Sequence, residues 1–259
     1  MKTNIFAIVL AAGKGERFGG PKQFLKVDGK EIVQYTLESV APWVDGIVLV
    51  LPQGGYEPGK YTMIGTDVFF TTGGDTRFNS IIAGFRVVPE GVNIMVVDAV
   101  RCNTHEKVFA NLFRALENAE AAFPFLTSVS TMCRMVGERG KLEIFNKTHG
   151  NLMEIQTPEI VRYDVFEKAL RVCVPDDGFS VAHMVGVSNP TVKIAGFPGP
   201  YDNFKITYPT DLMLFTMIVE MKKAIVRREK DVGTKVGSGL GDGTLPRGEQ
   251  GEGNPQVQN

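Results

Sequence analysis

Four short stretches of this sequence combine residue types that can hold and activate phosphate. In the first, Gly13-Lys14-Gly15-Glu16-Arg17-Phe18-Gly19-Gly20-Pro21-Lys22, small residues alternate with cations. Ala11, Ala12 and Gly13 let backbone N–H groups come close to a ligand. Arg17 and Lys22 add two charges able to face phosphate oxygens. No Gly-Lys-Ser/Thr closes the loop, so it is not a Walker A motif, and the third Gly falls one place late for the dinucleotide fingerprint. What remains is a polyphosphate loop or, alternatively, a Gly-rich surface turn with solvated cations.

The second stretch, Gly73-Gly74-Asp75-Thr76-Arg77-Phe78-Asn79-Ser80, puts a Gly pair at a strand end and Arg77 and Ser80 at a helix start. That suits an anion or a nucleobase at a helix N-terminus. It also suits an ordinary strand–helix turn capped by Asp75 or Thr76. The third, Val97-Asp98-Ala99-Val100-Arg101, leaves a carboxylate at the tip of an apolar strand. Such a group is costly to bury unless it is paired or bound to a metal. Asp98 could hold Mg²⁺ on phosphate oxygens or simply pair with Arg101. The fourth, Asn203-Phe204-Lys205-Ile206-Thr207-Tyr208-Pro209-Thr210-Asp211, carries Lys205 inside an otherwise apolar short strand. Lys205 is then a third cation for the same site, or an edge-strand lysine reaching water.

These residues need a scaffold, and the hydrophobic pattern supplies one. Residues 4–10 and 46–51 are unbroken apolar runs, as are 93–97, and they read as strands buried on both faces. Val68–Phe70 is a shorter strand. Helical spacing appears over 30–41, 77–88, 105–122 and 162–172. The alternation predicts an α/β fold, with a mostly parallel central sheet and helices on both faces. Ligands then bind where loops leave the carboxyl ends of the strands. Residues 125–157 break this rhythm with short alternating segments, which predict an antiparallel insertion or arm. Thr191–Ile194 reads as a strand followed by a Gly/Pro turn at 196–200. A helix over 209–228 starts on Pro209, favoured in a first turn, and is expected to bury Leu214, Ile218 and Ile225. From residue 232 to 259 the chain is Gly-rich and nearly free of large apolar groups, which predicts a disordered tail.

Bulk composition narrows the classes. A hydrophobic fraction of 43% is enough for a full core. A formal net charge of −1 gives no reason to expect nucleic acid or a membrane surface as partner, so any anion site must come from local clustering of cations. Three cysteines, Cys102, Cys133 and Cys173, form no Cys-x-x-Cys pair and suggest neither a disulfide framework nor a zinc site. The N-terminal apolar run is short and leads into glycine and cations. It reads as a buried first strand, not as a secretory signal, and a cytoplasmic location follows as an expectation.

Together, LAAGKGERFGGPKQFL, GGDTRFNS, DAVR, QTP and NFKITYPTDL occur in the order seen in one family. The chain resembles the cytidylyltransferases acting on 2-C-methyl-D-erythritol 4-phosphate and their relatives acting on ribitol 5-phosphate, over residues 5 to about 228. The resemblance implies a Rossmann-like nucleotidyltransferase domain, here residues 1–231. It implies a β-arm at about 125–157 that interlocks two subunits of a homodimer. Ala11, Ala12, Gly13, Gly15, Gly74, Asp75, Arg77 and Ser80 match positions that bind the nucleotide. Arg17, Lys22 and Lys205 match the catalytic cations at the reacting phosphates. Asp98, Arg101, His149, Thr157 and Asp177 fall at acceptor-side positions, with Asp98 also at the Mg²⁺ position. The implied reaction is attack by an acceptor phosphate oxygen on the α-phosphorus of CTP, with loss of pyrophosphate. An anionic nucleophile needs no strong base, so positioning and fixed positive charge carry the catalysis.

The chain departs from the family pattern on the acceptor side. The family writes His-Asp-Ala-Ala/Val-Arg-Pro where this chain has Val97 to Cys102. An arm arginine is replaced by His149, a weaker phosphate clamp. The arm lysine gives way to Cys133 or Arg134, the Gln of Gln-Thr-Pro-Gln to Glu159, and a Thr to Asp176. The expectation is CMP transfer from CTP to a phosphorylated polyol or phosphonate. The alternatives are an authentic methylerythritol phosphate enzyme, an enzyme using another nucleotide, and a catalytically dead relative that binds nucleotide.

Overall fold

Strand β1 (Ile5–Leu10) is apolar along its whole length because it lies inside the sheet, with parallel neighbours on both edges. The structure is a computed structural model and describes residues 4–54, 60–136, 141–145, 152–173 and 180–237. A small hairpin, β2 (Lys26–Val27) and β3 (Lys30–Glu31), follows the Gly-rich loop. Then come α1 (Ile32–Val40), β4 (Gly46–Leu51), β5 (Asp67–Thr72), α2 (Arg77–Phe85), β6 (Asn93–Asp98) and α3 (Glu106–Leu116). After β7 (Ala121–Thr127) the chain forms β8 (Met132–Val136), β9 (Lys141–Phe145), β10 (Met153–Ile155) and β11 (Glu159–Val161). It ends with α4 (Tyr163–Val172), α5 (Val181–Ser188), β12 (Ile194–Pro198) and α6 (Pro209–Gly237).

The eight-stranded sheet runs β10-β7-β11-β6-β1-β4-β5, with β12 beside β7. The pairs β5–β4, β4–β1, β1–β6 and β12–β7 are parallel, and β10 and β11 enter antiparallel. Alternate residues serve two cores. Ala7, Val9, Leu49, Met95 and Val97 face α1 and α3 through Val33, Leu37, Phe109 and Leu112. Ile8, Val48, Val50, Ile94 and Val96 face α2, α4 and α5 through Ile81, Phe166 and Met184. That period of two places helices on both faces, as the alternation of elements predicts.

Several elements differ from expectation, among them α5, which stands where none was expected. The helix expected over 105–122 stops at Leu116, and Ala121 and Ala122 open a central strand, because both pair with β11 and β12. So 125–127 belongs to the main sheet. Within the remainder of the insertion, β8 and β9 form their own antiparallel ribbon. The strand expected at 191–194 lies instead at Ile194–Pro198, since its parallel register on β7 runs through the Gly/Pro stretch. Lys205 lies in no strand; beside it the Ile206 N–H donates to Val100 O, and the Thr207 hydroxyl donates to Lys205 O.

By contact density the chain divides into Met1–Thr216 and Met217–Asn259, with α6 spanning the division. Within the first unit, Phe215 is buried and packs edge-on against Tyr35, while Leu214 is 48% exposed. Ile225, in the second, is 53% exposed, so neither Leu214 nor Ile225 has the buried place expected of it. The helix continues to Gly237, into the stretch read as tail, and residues 238–259 lie outside the described residues. Among the described residues no helix is long and apolar enough to cross a membrane.

Candidate active site

The carboxyl ends of β1, β5 and β6 open onto one cavity of about 430 Å³. Three backbone bonds extend the sheet into its rim: Ala11 N–H to Val50 O, Gly73 N–H to Leu51 O and Ala99 N–H to Leu10 O. The Ala11 N–H is thereby committed to the sheet, and Ala11 contributes only lining. After it the loop turns sharply. Gly15 has φ +71°, and its carbonyl accepts from the N–H groups of Phe18, Gly19 and Gly20; a Cβ there would strike the Gly20 carbonyl. Opposite, Gly73 lies against Ala12 and Ser80 with no room for a side chain.

The second wall is the start of α2. Thr76 caps it, its hydroxyl accepting the Asn79 N–H at 3.0 Å. The Ser80 hydroxyl is turned back onto Thr76 O at 3.0 Å and so holds the turn. Arg77 projects from this turn towards the tip of β6. There Asp98, 6% exposed, sits among three cations: Lys205 Nζ at 3.0 Å, Arg77 Nε at 3.6 Å and Arg101 Nε at 3.8 Å. Burial alone would raise its pKa, but Lys205, Arg77 and Arg101 outweigh it and hold the carboxyl well below the usual carboxylate range. Lys22 opens the helical turn Lys22–Phe24 and is 9% exposed. Burial lowers its pKa, and the charges of Lys205 and Arg17 lower it further.

Arg17, Lys22 and Lys205 therefore meet in one cavity with Ala11, Ala12, Gly13, Gly15, Gly74, Asp75, Arg77, Ser80 and Asp98. Five lining cations, counting Lys14, face three carboxylates, which suits a polyanion. Arg101 and Thr157 do not line it. Arg101 is 4% exposed and donates to Asn203 O at 2.7 Å. Thr157 is buried behind Asp98 and accepts the Asp98 N–H at 3.0 Å. Both support the carboxylate from within the protein. His149 and Asp177, like Asp176, lie outside the described residues.

Two residues with no sequence signal of their own hold the site together. The Gln23 side-chain amide, 3% exposed, donates to Ala11 O at 2.7 Å and Gly13 O at 2.9 Å, pinning the Gly-rich loop. Asn203 is fully buried. It donates to Thr157 O at 3.0 Å, accepts the Thr104 hydroxyl at 3.0 Å, and through its carbonyl takes Arg101 and Gln156.

Among the described residues no group of three or more His, Cys, Asp or Glu could cage a metal. That fits Mg²⁺ in a phosphate site, where one or two carboxylates suffice and substrate oxygens complete the shell. Asp98 is the carboxylate that ends β6 and lines the cavity.

An α/β sheet with a cationic cavity at its carboxyl edge, a Gly-rich loop on one side and a helix start on the other, defines a nucleotidyltransferase. The family described as "IspD: 2-C-methyl-D-erythritol 4-phosphate cytidylyltransferase" matches residues 5–221, and the chain belongs to that family. It is an enzyme, a CTP-dependent cytidylyltransferase. A protein of Clostridium botulinum named 2-C-methyl-D-erythritol 4-phosphate cytidylyltransferase is 30% identical over 83% of this chain and 99% of its own length. One of the same name from Xanthomonas campestris is 32% identical over 83% of this chain and 84% of its own. The fold is shared with 4-diphosphocytidyl-2C-methyl-D-erythritol synthase of Anaerococcus prevotii, at TM-score 0.71 and 20% identity, covering 83% of this chain and 98% of that one. It is shared also with the Thermus thermophilus cytidylyltransferase, at TM-score 0.67 and 23% identity, covering 85% of this chain and all of that one.

Proposed function

We propose that the protein transfers CMP from CTP to 2-C-methyl-D-erythritol 4-phosphate and releases pyrophosphate. The observation that carries this reading is the convergence of Arg17, Lys22, Arg77 and Lys205 on one cavity, with Asp98 at its floor, in a chain of this family. Of the departures that favoured another polyol phosphate or a phosphonate, those at Val97, Cys102 and Glu159 put no altered side chain on the cavity lining, while His149 and Asp176 lie outside the described residues. Val97 is fully buried and Cys102 nearly so, and neither lines the cavity. Glu159 is likewise buried and does not line it, standing behind Arg77. The family match supports the methylerythritol acceptor in preference to the altered one.

In this reading the Gly-rich loop, pinned by Gln23, holds the triphosphate. Arg17 and Lys22 face the reacting phosphates, and Lys205 shifts from Asp98 towards the negative charge that builds at the α-phosphorus. The attacking phosphate oxygen is already an anion, so the residues neutralise and align and abstract no proton. Removing one such contact costs about 3–4 kcal/mol in the barrier. Asp98 would hold Mg²⁺, which when bound would supply further neutralisation of the phosphates. A homodimer joined through the ribbon β8–β9 and a cytoplasmic location complete the proposal.

The test is pyrophosphate release with Mg²⁺ and each of CTP, UTP, ATP and GTP, crossed with 2-C-methyl-D-erythritol 4-phosphate, ribitol 5-phosphate, glycerol 3-phosphate and small phosphonates. The expected result is turnover with CTP and the methylerythritol phosphate well above every other pair. A higher kcat/KM for ribitol 5-phosphate or a phosphonate would restore the altered-acceptor reading.

A further inference from the structure

Glu159, the first residue of β11, is 1% exposed. Its Oε2 accepts the Ala182 N–H at 2.9 Å, and the carboxylate also takes the Val181 N–H, so α5 holds it by its first turn. Its Oε1 has no hydrogen-bond partner among the described residues. The charge facing that oxygen is Nη2 of Arg77 at 3.8 Å. The same guanidinium presents Nε to Asp98 Oδ1 at 3.6 Å. Arg77 thus stands between two buried carboxylates, at the wall of the nucleotide cavity. We infer that Glu159 is a positioning residue for the nucleotide site: fixed to α5, it shares the Arg77 guanidinium with Asp98 and sets where Arg77 meets the nucleotide.

An arginine side chain carries about 2 kcal/mol of rotamer entropy, so an unrestrained Arg77 would pay that on each binding event. Two carboxylates on two different elements restrain it beforehand, and preorganised charge is what electrostatic catalysis and binding require. Asp98 alone serves poorly, because Lys205 and Arg101 already share it. Glu159 also costs the fold something. Burial raises its pKa, against the pull of Arg77 and the two N–H bonds, and Asp98 pushes it the same way as burial. A carboxyl raised above its unfolded value opposes folding once pH climbs past that unfolded value. A neutral side chain of the same shape should therefore leave the fold as stable or more so, while a purely structural carboxylate would be missed.

The inference concerns the nucleotide half of the site and holds for any acceptor. CTP affinity is measured by calorimetry with no acceptor present, for the wild type, Glu159→Gln, Arg77→Gln and the double variant, and each protein is also unfolded in urea without ligand. Glu159→Gln is expected to weaken CTP binding about tenfold and to keep or raise the urea midpoint, and in the Arg77→Gln background it should change affinity less than about twofold. Arg77→Gln should lower the midpoint in the wild type, by stranding a buried carboxylate, and much less beside Glu159→Gln. Glu159→Asp, which keeps the charge on a shorter arm, should bind CTP with intermediate affinity and serves if Glu159→Gln does not fold. Equal CTP affinity in the wild type and both Glu159 variants would overturn the positioning role, and additive urea effects would overturn the pairing. A wild type that binds no CTP while the urea effects stay coupled would instead overturn the nucleotide reading of the cavity, and with it this role, leaving the pair.

Discussion

Lys22 shows how far this site is tuned before substrate arrives. Burial and the nearby charges of Lys205 and Arg17 depress its pKa below the ordinary 10.5. A lysine depressed in the folded state binds fewer protons than in the unfolded chain between the two pKa values, so stability rises with pH across that window. A polyphosphate reverses the balance by favouring the charged amine. CTP binding is therefore expected to take up protons at alkaline pH, between the depressed value and about 10.5. Calorimetry in two buffers of different ionisation enthalpy reads this directly. Uptake should vanish in Lys22→Met, and proton release by the wild type would contradict the arrangement. Arg17, Lys22, Asp98 and Lys205 are legible from sequence because each interrupts a glycine-rich or apolar context. Gln23, Asn203 and Glu159 are not. Their roles lie in contacts made by folding, such as those of Asn203 with residues 46 and 102 positions away, and a lone polar residue announces none of them.

At the scale of elements, the strands at the centre of the sheet are legible because burial on both faces leaves continuous apolar runs. The misplaced elements, β7 and β12, are those whose state is decided by partners. Ala121-Ala122 continues a helical pattern locally and is strand only because β11 and β12 pair with it. The segment 203–206 has no regular structure to steady Lys205, and Asn203 does that work by tying it to Thr157 and Thr104. Asn203→Ala strands buried partners, which is expected to cost about 1–3 kcal/mol of stability in urea unfolding. Because Lys205 would lose its anchor, kcat should fall about tenfold at temperatures where the variant remains folded. An unfolding midpoint and a kcat both within twofold of wild type would show that the segment needs no such tie.

For the whole molecule, the two cores account for the sheet and its helices but not for the ribbon. A two-stranded hairpin is at best marginally stable alone in water. The ribbon β8–β9 pairs with no other described strand. Among the described residues at its start and before and after it in the chain, four large apolar side chains are exposed, beside the polar Thr127, Ser130, Thr131 and Glu154: Val129 is 71% exposed, Met132 and Met153 are each 45%, and Leu152 is 40%. Exposed apolar side chains flanking a ribbon that no other described strand pairs are what an interface between chains would cover. Since the net charge is only −1, like-charge repulsion does little to keep two copies apart. Sedimentation at micromolar concentration is expected to give the mass of two chains. Glutamates at Met132 and Met153 together would put like charges where the apolar contacts of both copies meet, and should shift the mass to that of one chain while CTP binding at the β1–β6 edge persists. A wild type sedimenting as one chain would leave the exposed residues unexplained and sink the dimer. A variant that stays two chains would move the interface elsewhere.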